Sequence, residues 1–152
     1  MVDRMLSRDA VAFGRAVLLA TDALGMSAEG AFWIRDAKDK EWNYFLVTSL
    51  MTRIGSREIY LKLNDALAKI LSEHELNDFT FYIAAPDELL IKKIRKQIKT
   101  DSFATDPTSA SVAVNGRSMD VEVYRLSKGM KEPSAKKAQR RFRQSYNELM
   151  MG

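Results

Sequence analysis

Two apolar runs, Ala31-Phe32-Trp33-Ile34 and Trp42-Asn43-Tyr44-Phe45-Leu46-Val47, flank the charged stretch Arg35 to Glu41. They read as two strands joined by a solvated hairpin connection. Strand side chains alternate, so Trp42, Tyr44, Leu46 and Leu50 point one way and Phe45, Val47 and Met51 the other. A strand with one wet face would alternate apolar with polar. This one is therefore expected inside a sheet with both faces covered, by helices on one face and a partner subunit on the other.

The period then changes. From about Ser56, Ile59, Leu63, Ala66, Leu67 and Ile70 fall on one helical stripe, with Gly55-Ser56 as hinge and cap. Glu58 precedes Lys62, and Asp65 precedes Lys69, by the helical spacing that favours exposed ion pairs. Each such pair is worth about 0.3 kcal/mol against roughly 1.5–3 kcal/mol for each buried large aliphatic, so packing decides this helix. Ser7 to Leu24 reads as an earlier amphipathic helix with Val11, Val17, Leu18 and Leu24 on its inner face, capped by Ser7 and stopped by Gly25.

Phe79 to Ala84 predicts a third strand, and Ala85-Pro86-Asp87 opens another helix with acidic residues in its first turn. Its buried stripe is Leu90, Ile91, Ile94 and Ile98. Lys92, Arg95, Lys96 and Lys99 form a second stripe, either a solvated face or a phosphate-contacting ridge. Thr100 to Ser109 reads as a surface loop. Asn115-Gly116 is a strong hairpin signal, because both central residues of a type I′ turn need positive φ. A two-residue loop pairs Val114 with Arg117 and Val112 with Met119. That register places Val112, Val114, Met119, Val121 and Val123 on one face, and Ser111, Ser118, Asp120, Glu122 and Tyr124 on a wet one. After a linker at Lys128 to Pro133, a last helix from Ser134 carries Ala135, Ala138, Phe142, Tyr146 and Leu149 on one side and Lys136, Arg140 and Arg143 on the other.

These elements predict an α+β fold: a mostly antiparallel sheet of about five strands packed by helices, in the order α-β-β-α-β-α-β-β-α. Residues 1–126 are expected to form a single domain, and 127–152 a basic linker and amphipathic helix. At 152 residues the chain can build a core without staples. Net charge is +4, and residues 127–152 hold seven basic residues against two acidic ones, so the tail is basic and the body close to neutral.

Chemistry is sparse. There is no cysteine, which removes disulfides and thiolate chemistry, and one histidine, His74, read as the cation at a helix end. No P-loop or dinucleotide glycine pattern can be written. Asp36, Asp39 and Glu41 are interleaved with Lys38 and Lys40, which argues against a cation site. Asp87 and Glu88 are explained by helix capping, and Ser49 beside Thr48 has no identifiable base. No catalytic, cofactor or metal residue is assigned. No apolar run is long enough to span a bilayer, and Arg15 and Asp22 interrupt any leader-like segment, so a cytoplasmic location is expected.

The positions Phe32-Trp33, Trp42, Leu46-Val47-Thr48-Ser49 and Gly55-Ser56-Arg57-Glu58-Ile59-Tyr60 resemble a group of small bacterial α+β proteins without an assigned function. The likeness spans Gly30 to Leu126. This chain has Leu50 where those sequences place a proline after the serine. The resemblance implies a shared fold and transfers no site residue.

Three functional readings follow. The first is a non-catalytic interaction or binding module, such as a homodimer, docking through a sheet face or through Phe142, Tyr146 and Leu149. The second is nucleic-acid association through Lys136, Arg140 and Arg143, joined by Lys92, Arg95, Lys96 and Lys99. The third is a small enzyme with a pocket near the 100–109 loop, using Asp87, Glu88 or Tyr82.

Overall fold

The computed structural model describes residues 6–36, 38, 41–71, 79–98 and 106–151. His74, Asp39, Lys40, Lys99 and positions 100–105 of the predicted loop lie outside them. The elements are α1 (Arg8–Ala23), β1 (Gly30–Asp36), β2 (Asn43–Val47), α2 (Leu50–Ala68), β3 (Phe81–Ala84), α3 (Leu89–Gln97), β4 (Thr108–Val114), β5 (Arg117–Leu126) and α4 (Glu132–Met151). The fold is α+β, and the element order roughly follows the predicted one.

The sheet order is β3-β2-β1-β5-β4. It is mixed rather than mostly antiparallel, since β3 runs parallel to β2 while the other neighbours are antiparallel. The cause is the connection: a helix between two adjacent strands returns the chain to its starting end, so the next strand runs the same way.

β2 is interior, as its two-sided apolar pattern requires. Both covers come from the chain itself. Tyr44 and Leu46 join a core with residues of α1, α2 and α4, including Phe13, Leu63 and Phe142. Val47 faces the opposite layer with Phe32, Val121 and Ile91 and Ile94 of α3. The expected partner subunit is not what covers this strand. Leu50 and Met51 are not strand residues at all; they open α2.

The helix expected from about Ser56, with Gly55 as its hinge, is present, and a shorter helical stretch from Leu50, capped from outside the helix, precedes it within α2. The buried Glu29 carboxylate accepts from the Ser49 N–H at 3.0 Å, and Thr48 Oγ1 accepts from the Leu50 N–H at 3.1 Å. Gly55, at φ 80° and ψ 165°, is the non-helical hinge between the two stretches, a backbone state that only glycine adopts readily. Ile70 is 58% exposed, because the helix has ended at Ala68.

The second hairpin has the register that Asn115-Gly116 predicts, with φ of 52° and 78° at the turn and Val114 opposite Arg117. Tyr124 departs from expectation. It shares a face with Asp120 and Glu122 yet is fully buried, because α1 lies over that end of β5. Its hydroxyl donates to Val11 O at 2.8 Å and accepts from Trp33 Nε1 at 3.3 Å. Burial pushes this phenol up to about 12. α1 can approach so closely because Gly14 has no side chain: a Cβ there would lie 2.5 Å from the Tyr124 hydroxyl.

Side chains occupy both borders of the sheet. On β3 the Tyr60 hydroxyl of α2 donates to Phe81 O at 2.7 Å and accepts from the Ile83 N–H at 3.1 Å. On β4 the Gln97 amide of α3 bonds both the N–H and the C=O of Ala113, each at 2.8 Å. Unpaired strand borders invite association with other chains, and these side chains block part of each.

Candidate functional site

The basic tail helix is placed by the end of the sheet. After β5, the Ser127 N–H donates to Glu29 O at 2.8 Å and the Met130 N–H to the Glu29 carboxylate at 2.9 Å. Ser49 Oγ donates to the same carboxylate. One buried acid thus ties β1, the start of α2 and the linker together.

From Glu132, α4 lies along α2. Ala135, Ala138 and Phe142 are buried, and Tyr146 and Leu149 pack at the margin of the same core. Tyr146 also donates to Asp65 at 2.6 Å. Of the Phe142, Tyr146 and Leu149 face, expected as a partner-docking surface, Phe142 is fully covered by the chain's own helices and Tyr146 and Leu149 are half-buried.

The expected phosphate-binding residues divide into three groups. Lys92 and Lys96 are exposed on α3, where the half-buried Arg95 donates to Pro86 O at 3.3 Å. α3 packs on the opposite side of the sheet from α4. The two basic stripes therefore form no common surface. Arg143 is committed to a bidentate pair with Glu58, at 2.8 Å through both nitrogens. Lys136 and Arg140 point to solvent with no ion pair among the described residues.

Two further residues belong with that last pair. Lys137 and Arg141 are exposed next to Lys136 and Arg140, one helical turn apart. Among the described residues Arg141 reaches only the Gly25 carbonyl and Ser27 hydroxyl, each at 3.4 Å. The sequence signal was available. Once Phe142 fixes the inward direction, a 100° step per residue places 136, 137, 140 and 141 outward.

Arg143 and Lys62 hold the Glu58 carboxyl at about 2, well below its usual 4.5, with Arg143 the larger cause. A depressed folded-state value means that Glu58 stabilises the fold above about pH 4.5, and that this stability is lost as pH falls towards 2. Glu58→Gln should therefore flatten the acid limb of a plot of melting temperature against pH. An unchanged acid limb would remove Glu58 from the pH response.

A cleft of about 610 Å³ opens on the α1 side of the sheet, lined by Arg35, Trp42, Ser109, Ser111, Asp120 and Glu122. Arg35 is stacked 4.5 Å over the Trp42 ring and pairs with Asp120 at 3.0 Å. Among the described residues of the predicted 100–109 loop, Ser109 lines the cleft, and it is already in β4. Asp87, Glu88 and Tyr82 do not line this cleft. Glu88 accepts from the Ala85 N–H at 2.6 Å, which closes a turn, and the Tyr82 ring packs against Phe45 at a tilt of 31° on the opposite face. Asp36, at the end of β1, accepts from the Lys38 N–H and pairs with Arg117. Among the described residues no three metal-ligating side chains converge, and no helix is long and apolar enough to cross a membrane.

Fold and surface together define the class: an α+β domain with helices on both faces of a five-stranded sheet, presenting a docked basic helix to solvent. No protein-family model matches the chain, and the searches of curated proteins and solved structures returned no similar protein.

Proposed function

We propose that this protein is a non-catalytic interaction module whose contact surface is the outward side of α4, and that its partner is a polyanion with regularly spaced phosphates. One observation carries the reading. Lys136, Lys137 and Arg140 are held outward on a helix whose inner face is anchored by the fully buried Phe142, and no carboxylate among the described residues neutralises them. A rigid cationic ridge of this kind suits the backbone of duplex nucleic acid. The outward face has no aromatic residue between its cations, so base stacking on single strands is not favoured.

Replacing Lys136, Lys137 and Arg140 together by alanine should weaken binding to a duplex DNA oligonucleotide by at least about tenfold at low salt. The slope of log affinity against log salt should fall by about 0.9 for each phosphate that is no longer neutralised. Fluorescence anisotropy over a salt series measures both. Unchanged affinity and slope would dismiss α4 as the contact surface.

A further inference from the structure

The guard on the β4 border is incomplete. Gln97 satisfies Ala113 alone, standing where the peptide group of a neighbouring strand would stand. Main-chain groups that point outward recur every second residue along an antiparallel border strand, so Ser111 and Ser109 point the same way as Ala113. No hydrogen bond to their main-chain groups from outside the β4–β5 pair occurs among the described residues. At the far end stands Pro107, which has no N–H to offer. Among the described residues the open window is thus 108–112, closed at one end by Gln97 and at the other by proline.

We propose that this window binds the same window of a second copy of the chain, as an antiparallel strand pair about a two-fold axis at Ala110. In this register Ala110 faces Ala110 of the other copy, and Ser109 faces Ser111 twice. Each Ser109–Ser111 pair exchanges both of its main-chain hydrogen bonds. Gln97 already fills the place opposite Ala113, so the pairing ends at Thr108 opposite Val112 and Pro107, which has no donor to lose, turns away from the border. The two closed ends match.

Chemistry selects a copy of this chain over another extended peptide. No residue from Pro107 to Val114 is charged, and the side chains at 109, 110 and 111 are short. Self-pairing therefore brings no like charges together and allows close approach. Border strands that are kept single usually carry lysine, an internal proline or a bulge, and none interrupts this window. The pairing leaves the outward side of α4 untouched, so it stands or falls separately from polyanion binding.

The chain lacks cysteine, so Ala110→Cys introduces a single thiol. Directly opposed residues of a non-hydrogen-bonded pair are within disulfide reach. Under mild oxidation A110C should form a covalent dimer at least about tenfold faster than Ser118→Cys at the exposed hairpin end. For the unmodified full chain, sedimentation equilibrium should show a monomer–dimer equilibrium. Ser111→Pro removes an outward N–H without touching the β4–β5 ladder, and should raise the dissociation constant at least about tenfold. If S111P fails to fold, A110C and sedimentation decide alone. A chain monomeric at millimolar concentration, or A110C cross-linking no faster than S118C, overturns the proposal.

Discussion

Phe142→Ala should lower the unfolding free energy by about 3–5 kcal/mol, the usual cost of removing a large aromatic from a closed core. The ring is fully buried against α1 and α2, beneath the Lys62 ammonium at 5.9 Å. Its neighbours on α4, Ala135 and Ala138, are too small to fill the space. For a chain of this size each kcal/mol moves the melting temperature by about 2–4 °C, so a fall of about 10 °C is expected by calorimetry. The same variant tests the division of the chain. If α4 unfolds with the body, one cooperative transition moves as a whole. If residues 127–152 form an independent appendage, the body's transition stays in place and only α4 loses amide protection. The shared core favours the first outcome.

The second large loss is expected at Glu29, which is 3% exposed. Its carboxylate accepts from the N–H groups of Ser49 and Met130 and from the Ser49 hydroxyl. Glu29→Ala removes the acceptor of the buried Ser49 N–H and hydroxyl, at about 1–3 kcal/mol for each unsatisfied group, while the Met130 N–H keeps Ser49 Oγ at 3.1 Å. The acid also faces the N-terminus of α2, where negative charge is favoured. A total of about 2–5 kcal/mol should be measured by urea denaturation. Glu29→Gln keeps the volume and one acceptor oxygen, so it should fall between wild type and alanine. Equal losses for both variants would point to charge alone. A loss below about 0.5 kcal/mol for E29A would show that water replaces the carboxylate.

Neither Glu29 nor Gln97 was legible as important from the sequence. Glu29 lies between two small residues, with no periodicity to mark it. Its partners come from positions 49 and 130, and only folding brings those together. Gln97 ends a helix whose visible features are isoleucines and lysines. Its bonds to Ala113 depend on α3 crossing the sheet to reach β4. The parallel pairing of β3 was legible in principle, since a helix separates β2 from β3, but residue patterns do not encode strand order. Tyr124 shows the same limit. Its side of β5 follows from alternation, whereas its burial depends on where α1 lies.

The amino-acid order alone determined the local elements: the Asn115-Gly116 hairpin and its register, the buried stripes of α3 and α4, and the interior position of β2. These depend on backbone preference and side-chain period, and both act within a few residues. Only the tertiary structure decided what covers β2, which lysines and arginines stay unpaired, and where the sheet's borders remain open. Those outcomes depend on packing and hydrogen bonding between residues far apart in the chain. No period in the sequence records such pairings.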